Sequence, residues 1–268
     1  MKLTPELQLI KNMLQKQHLL INGLLNVTHL ALDGHFGNNN ALQMARQCRL
    51  HLISKLRHDA ALYFQYHGPQ AAHGPHRKYG DKINYAHIPS QYLKASYLED
   101  DIQTDYYQAT MLHKSFAQPL NIVIIVKTHC KTGKRAHVVL FSSDLALTYA
   151  QIVDYYSLRF QIEFNFRDAK QYWGLDDFMN IKATPVTNAA NLALFMVNVS
   201  QRLLHDLRQR HPLASVLDLK AIFHGRKYVS AVLELLPEKP NPILLQQVEA
   251  QVTAIGQIHP PKLLACDP

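Results

Sequence analysis

Cysteine is scarce in this chain of 268 residues. Cys48, Cys130 and Cys266 are the only three, and they stand far apart. That spacing matches no zinc site, and an odd number cannot make a complete disulfide set, so reduced thiols are expected. Long apolar runs are absent too. None approaches the roughly 18 residues of a membrane span, and Met1-Lys-Leu-Thr-Pro5 has no apolar core of a signal peptide. No membrane partner is expected, and the cytoplasm is the expected compartment. Acidic residues are few: 20 Asp and Glu stand against 28 Lys and Arg, for a formal charge of +8. A basic balance favours a polyanionic partner, with a phosphate backbone the obvious one. Neither internal repeats nor low-complexity tracts occur.

What is present is a core-forming chain, 47% hydrophobic and 18% charged. Its most informative stretch runs from Tyr156 to Lys170. Tyr156, Arg159, Glu163 and Lys170 recur at offsets of 3, 7 and 14 residues. At about 100° per residue they fall on one stripe about 60° wide. Thr148 and Gln151 read as a capping box and Gly174 as the residue that ends the helix, which predicts one helix over 149–173. Such a stripe is commonly a solvated face. Here Ile152, Tyr155, Ile162 and Phe166 form an apolar side, with Phe160, Phe164 and Trp173 further round. A largely buried helix with its charges toward a cleft is therefore expected.

The pattern Tyr-x2-Arg-x3-Glu-x6-Lys resembles the signature of DDE transposases of the IS-four superfamily of bacterial insertion sequences. The resemblance implies an RNase H-like α/β fold and divalent-metal phosphoryl transfer on DNA, with Mg²⁺ or Mn²⁺ as cofactor. By it, Glu163 is the last acid of the metal-binding triad. Tyr156, Arg159 and Lys170 contact transposon-end DNA. The family also places an acid at the end of a buried strand. Val27-Thr-His-Leu-Ala-Leu-Asp33-Gly34 is an apolar run ending in an acid and a turn residue, 130 positions before Glu163. Alone, Asp33 would be an ordinary turn or cap residue; with Glu163 it resembles the triad's second acid and a metal ligand.

The family's first Asp lies on an opening strand. Only 32 residues precede Asp33, and they read as an amphipathic helix to about Leu25. Its apolar face is Leu7, Ile10 and Leu14, continued by Leu19, Leu20 and Ile21. Glu6 is the only acid among them. The first Asp and the opening strands are thus expected to be missing, through decay of the element, a frameshift or an internal start. Two-metal phosphoryl transfer needs carboxylates around both ions, so the polypeptide alone is expected to have little activity.

Four segments follow from this reading. Residues 1–59 form the first part of the core, and 60–144 a mostly β insertion. Residues 145–181 hold the signature helix, and 182–268 a helical C-terminal region. A helix near 39–49 capped at Asn38 and a strand over 51–57 are expected, with Arg57 either a DNA contact or an ordinary surface Arg. His67, His73, His76 and His87 fit no zinc spacing, and a basic loop touching DNA is the expected use. Strands Pro119–Lys127 and Ala136–Phe141 form a hairpin through Lys131–Lys134. Nothing singles out Tyr92, Tyr97, Tyr106 or Tyr107 for base stacking over core packing. Asp144 reads as a turn residue. Helices are expected over 187–210, with Leu192, Phe195, Val199 and Leu203 inward, and over 215–236, followed by Pro-rich turns. Arg226 and Lys227 are further candidates to meet DNA.

Three functions compete. One is a transposase acting at terminal inverted repeats and target DNA, as a nucleoid-associated homodimer. The second is a non-catalytic DNA-binding or oligomerising remnant. The third, another RNase H-like nuclease, fits the two acids but not the four-position signature.

Overall fold

The computed structural model describes residues 3–21, 23–238 and 240–260; Cys266 lies outside them. The chain divides into two compact units, Met1–Phe160 and Gln161–Pro268.

The first unit is built on one mixed sheet. Its strands are β1 (His29–Ala31), β2 (His51–Leu56), β3 (Leu62–Gln65), β4 (Tyr79–Lys82), β5 (Leu93–Glu99), β6 (Ile102–His113), β7 (Leu120–His129) and β8 (Arg135–Ser142). The order is β1-β2-β8-β7-β6-β3-β4, with β5 also on β6. Only β1 and β2 pair in parallel, with His29 opposite His51; the other pairings are antiparallel. The strands of 60–144 therefore share one sheet with β1 and β2. The expected hairpin is present: Thr128 faces Arg135, and Gly133 takes the left-handed conformation its turn requires.

Helices α1 (Pro5–Ile21) and α2 (Asn39–Gln47) precede and follow β1. Leu52, Ile122, Ile124, Val139 and Phe141 point to the face where Leu7, Leu42 and Met44 are buried. Ile53, Val123 and Leu140 point to the other, against Ile152 of α3 (Tyr149–Ser157). Covered on both faces, β7 reads as a nearly continuous apolar run. Asn38 caps α2 by accepting the Ala41 N–H at 3.0 Å, as expected. Leu7, Ile10 and Leu14 pack on the core as expected, but Leu19 and Leu20 are 79% and 80% exposed. Both lie within the last turn of the helix but on its solvent side.

The signature segment departs from expectation. The helix predicted over 149–173 is two, α3 and α4 (Phe160–Trp173). The capping box of Thr148 and Gln151 and the turn at Gly174 are both as predicted. Between them the Ser157 hydroxyl donates to the Asp154 carbonyl at 2.7 Å, and the Arg159 N–H bonds three residues back to Tyr156. The last turn of α3 tightens, and the ladder breaks at Leu158-Arg159. The expected apolar side is also divided. Ile152 is fully buried, whereas Phe160, Ile162, Phe164 and Phe166 are exposed.

The second unit is helical: most of α4, then α5 (Ala183–Arg208), α6 (Val216–Leu235) and α7 (Pro242–Ala254). Its buried apolar clusters are small. One joins Ala169, Leu175, Ala193 and Val197; the other joins Leu204, Ala214, Val216 and Leu219. The buried side of α5 is Ala193, Val197, Ser200 and Leu204, not the expected Leu192, Phe195, Val199 and Leu203, of which Leu192 and Phe195 are about three-fifths exposed. Two parallel stripes exist on this helix, and the one with small residues is buried. The Pro-rich turns expected after α6 hold α7, whose Pro242 sits in the first turn behind an Asn241 cap. Proline there loses no helical hydrogen bond. Gly225 lets α6 and α7 touch, because a Cβ would lie 2.8 Å from the Thr253 Cα.

Candidate active site

The candidate site starts at the C-terminal end of β1. Leu32 continues the strand by donating to the Ile53 carbonyl, and Asp33 then caps a short 3₁₀ turn, Gly34–Phe36. One Asp33 carboxylate oxygen accepts the His35 N–H at 2.5 Å, and its backbone carbonyl accepts the Ser54 hydroxyl at 2.8 Å. Gly37 closes the turn. A Cβ there would sit 2.2 Å from the Lys55 carbonyl, so the turn can lie on β2 only with glycine at this position. The Asp33 side chain is exposed, with Lys55 beside the turn. Lys55 escaped the sequence reading, although its alternation with buried Ser54 and Leu56 marks it as an outward residue of β2.

Tyr156 is half-buried near the end of α3. Burial pushes its phenol pKa up, the Arg159 guanidinium opposes this, and the Asp33 carboxylate adds to the rise. Asp33 and Arg159 thus each lie within electrostatic reach of Tyr156, and all three belong to the first unit. The Arg159 guanidinium lies 5.9 Å from the Tyr156 ring centre and 4.5 Å from that of Phe160. Arg57 stands just past the end of β2, the strand parallel to β1. It is 84% exposed and pairs with Asp59 at 3.2 Å.

Glu163 and Lys170 belong to the second unit. Glu163 is exposed in the first turn of α4 and Lys170 lies in its last, where each charge suits the helix dipole. The Lys170 ammonium pairs with Asp176 at 2.7 Å. With the ladder broken at Leu158, the even 100° steps do not carry from Tyr156 to Glu163. Of the other candidates on this unit, Arg226 pairs with Glu249 at 2.9 Å and Lys227 is exposed.

Two groups missed in the sequence position α3. Asn121 is buried within β7; its amide nitrogen donates to the carbonyls of Asp144 and Leu147, and its oxygen accepts from Gln108. Gln108 also donates to Leu147 and accepts the Tyr149 N–H. Together they clamp the lead into α3. A lone Asn inside an apolar run was the available signal. Asp144 closes the turn as expected, accepting the Ala146 N–H at 2.9 Å, and also pairs with His29 at 3.1 Å. The Ala146 N–H and His29 together hold its carboxyl below the usual range against the effect of burial. Three tyrosines gather where β5, β6 and α3 meet: Tyr106 lies within 6 Å of both Tyr97 and Tyr149, ring centre to ring centre.

Residues 4–118 match the family model of the DDE superfamily endonucleases. The matched stretch holds α1, α2 and β1 to β6, and with them Asp33 and Arg57. Tyr156, Arg159, Glu163 and Lys170 lie beyond it. The match supports a DDE-type transposase family with a nuclease role on DNA, a superfamily that generally uses divalent metals. The mixed α/β architecture agrees with such a nuclease. No curated protein matches the chain. No described helix is long and apolar enough to cross a membrane.

For a hard divalent cation, Asp33 has suitable chemistry: an exposed carboxylate with one oxygen held by its own turn. Among the described residues, no three His, Cys, Asp or Glu side chains group as a metal site.

Proposed function

We propose that this chain is an insertion-sequence transposase of the IS-four type with an RNase H-like core. In this reading it binds DNA at transposon ends and target, as a homodimer associated with the nucleoid. The observation that carries it is Asp33, set at the end of β1 inside the stretch matching DDE endonucleases, with the Tyr156 phenol within reach of its charge. Asp33 and Glu163 would hold Mg²⁺ or Mn²⁺, which when bound activates a nucleophile and stabilises the leaving oxygen. Tyr156, Arg159, Lys170 and Arg57 would hold the phosphate backbone. Arg159 brings a planar fork of donors suited to a phosphate. Tyr156 keeps its proton, because burial and Asp33 both disfavour the phenolate, and so can donate to a phosphate oxygen.

The second reading is a non-catalytic DNA-binding or oligomerising transposase remnant. It is favoured by the described residues, among which no three His, Cys, Asp or Glu side chains group as a metal site, while two-metal chemistry needs ligands around both ions. One experiment separates the readings. The full chain is incubated with Mg²⁺ or Mn²⁺ and duplex carrying the flanking terminal repeats, and binding and nicking are both measured. Binding with metal-dependent nicking lost in Glu163→Gln and Asp33→Asn supports the transposase. Binding without nicking supports the remnant. Absence of binding at low salt removes both.

A further inference from the structure

At the opposite end of β1 and β2 from Asp33 lies a second polar site. A pocket of about 320 Å³ is lined by Arg46, Arg49, Leu50, His51, Gln118 and Ser143, all of the first unit. No carboxylate lines it. Arg46 donates one guanidinium N–H to the Gln118 side-chain oxygen at 2.8 Å, which fixes the fork while other donors stay available. His51 stacks on His29, with ring centres 5.4 Å apart, and its Nδ1 lies 3.4 Å from the Ser143 hydroxyl. Asp144, which feels the charge of His51, is committed to His29 and the Ala146 N–H. Among the described residues, neither arginine forms an ion pair.

Arg49 carries a further sign. It follows the last turn of α2 with φ +59°, the left-handed conformation that glycine usually fills at this position. A long side chain held there bears backbone strain that a glycine would avoid. Strain kept at one residue, whose charge opens into an acid-free pocket, suggests that the charge is used.

We infer that Arg46, Arg49 and His51 take a phosphodiester group of bound DNA. The inference rests on the DNA-binding reading above and adds a contact outside the candidate catalytic residues. The test uses the full chain and labelled duplex of arbitrary sequence, titrated over a range of salt. Arg46→Ala with Arg49→Gly should lower affinity about tenfold and make the log–log salt dependence shallower by about one. Arg49→Gly alone should weaken binding while the melting temperature stays equal or rises, since glycine suits the backbone. Arg46→Lys with Arg49→Lys should keep the salt slope. Wild-type binding with undiminished affinity and slope in the double variant would overturn this inference alone. Absence of wild-type binding would overturn it together with the proposed function.

Discussion

The two units solve the same problem by different means. In the first, a sheet covered on both faces buries large side chains completely, among them Phe141, Leu42, Met44, Ile53 and Ile152. In the second, two clusters of four small or medium apolar residues are supplemented by polar ties. The main tie is Asp218 of α6, which is almost fully buried. It accepts from the Ser215 hydroxyl and N–H, the Ile258 and His259 N–H groups, and the His259 ring. The difference teaches where each unit is vulnerable: the first to lost volume, the second to lost hydrogen bonds and to acid.

The largest effect should come from Phe141→Ala, which opens a cavity against Phe116 and should cost about 3–5 kcal/mol. Chemical denaturation with a probe in the sheet would show it; a loss below about 1 kcal/mol would contradict a sheet-centred first unit. Next, Asp218→Ala should cost about 3 kcal/mol by stranding several buried donors. Its pH dependence sharpens the contrast. Burial alone would raise the Asp218 pKa, yet the bonds from His259 and Ser215 outweigh it and hold the carboxyl well below its usual range. A depressed folded pKa stabilises above the unfolded value of about 3.9 and is lost as pH falls below it. Melting of the second unit should therefore fall steeply from about pH 4 downward, and Asp218→Asn should flatten that fall. The smallest effect belongs to Thr148→Ala, which removes the cap of α3 and should cost about 1 kcal/mol. Faster amide exchange at Gln151 would localise it.

Local signals in the sequence were read well. Alternation and turn chemistry located β2 and the β7–β8 hairpin, and side-chain caps marked the starts of α2 and α3. Three things stayed hidden because they depend on contacts or competition that a pattern cannot express. The break at Leu158-Arg159 carries no Pro or Gly; a serine hydroxyl and a tightened turn produce it. On α5 two stripes were equally periodic, and only packing chose the one with Ala193 and Ser200. The Gln108–Asn121 clamp joins residues 13 apart to a loop still further along. For the candidate site, Asp33 was legible as a strand-ending acid, while the effect of its charge on Tyr156 needed the fold.

The short first strand has one further consequence. β1 lies at the sheet edge, three residues long and bonded on one side only. So brief an edge offers little template to a foreign strand, but it also grips its own chain weakly. Beyond the Leu32–Ile53 bond that ends the strand, the position of Asp33 therefore depends on two latches to β2: the Ser54 hydroxyl on its carbonyl and the bare Cα of Gly37 against Lys55. The acid is held as a pinned loop is held, and a change at either pin would loosen it while leaving the rest of the sheet in register.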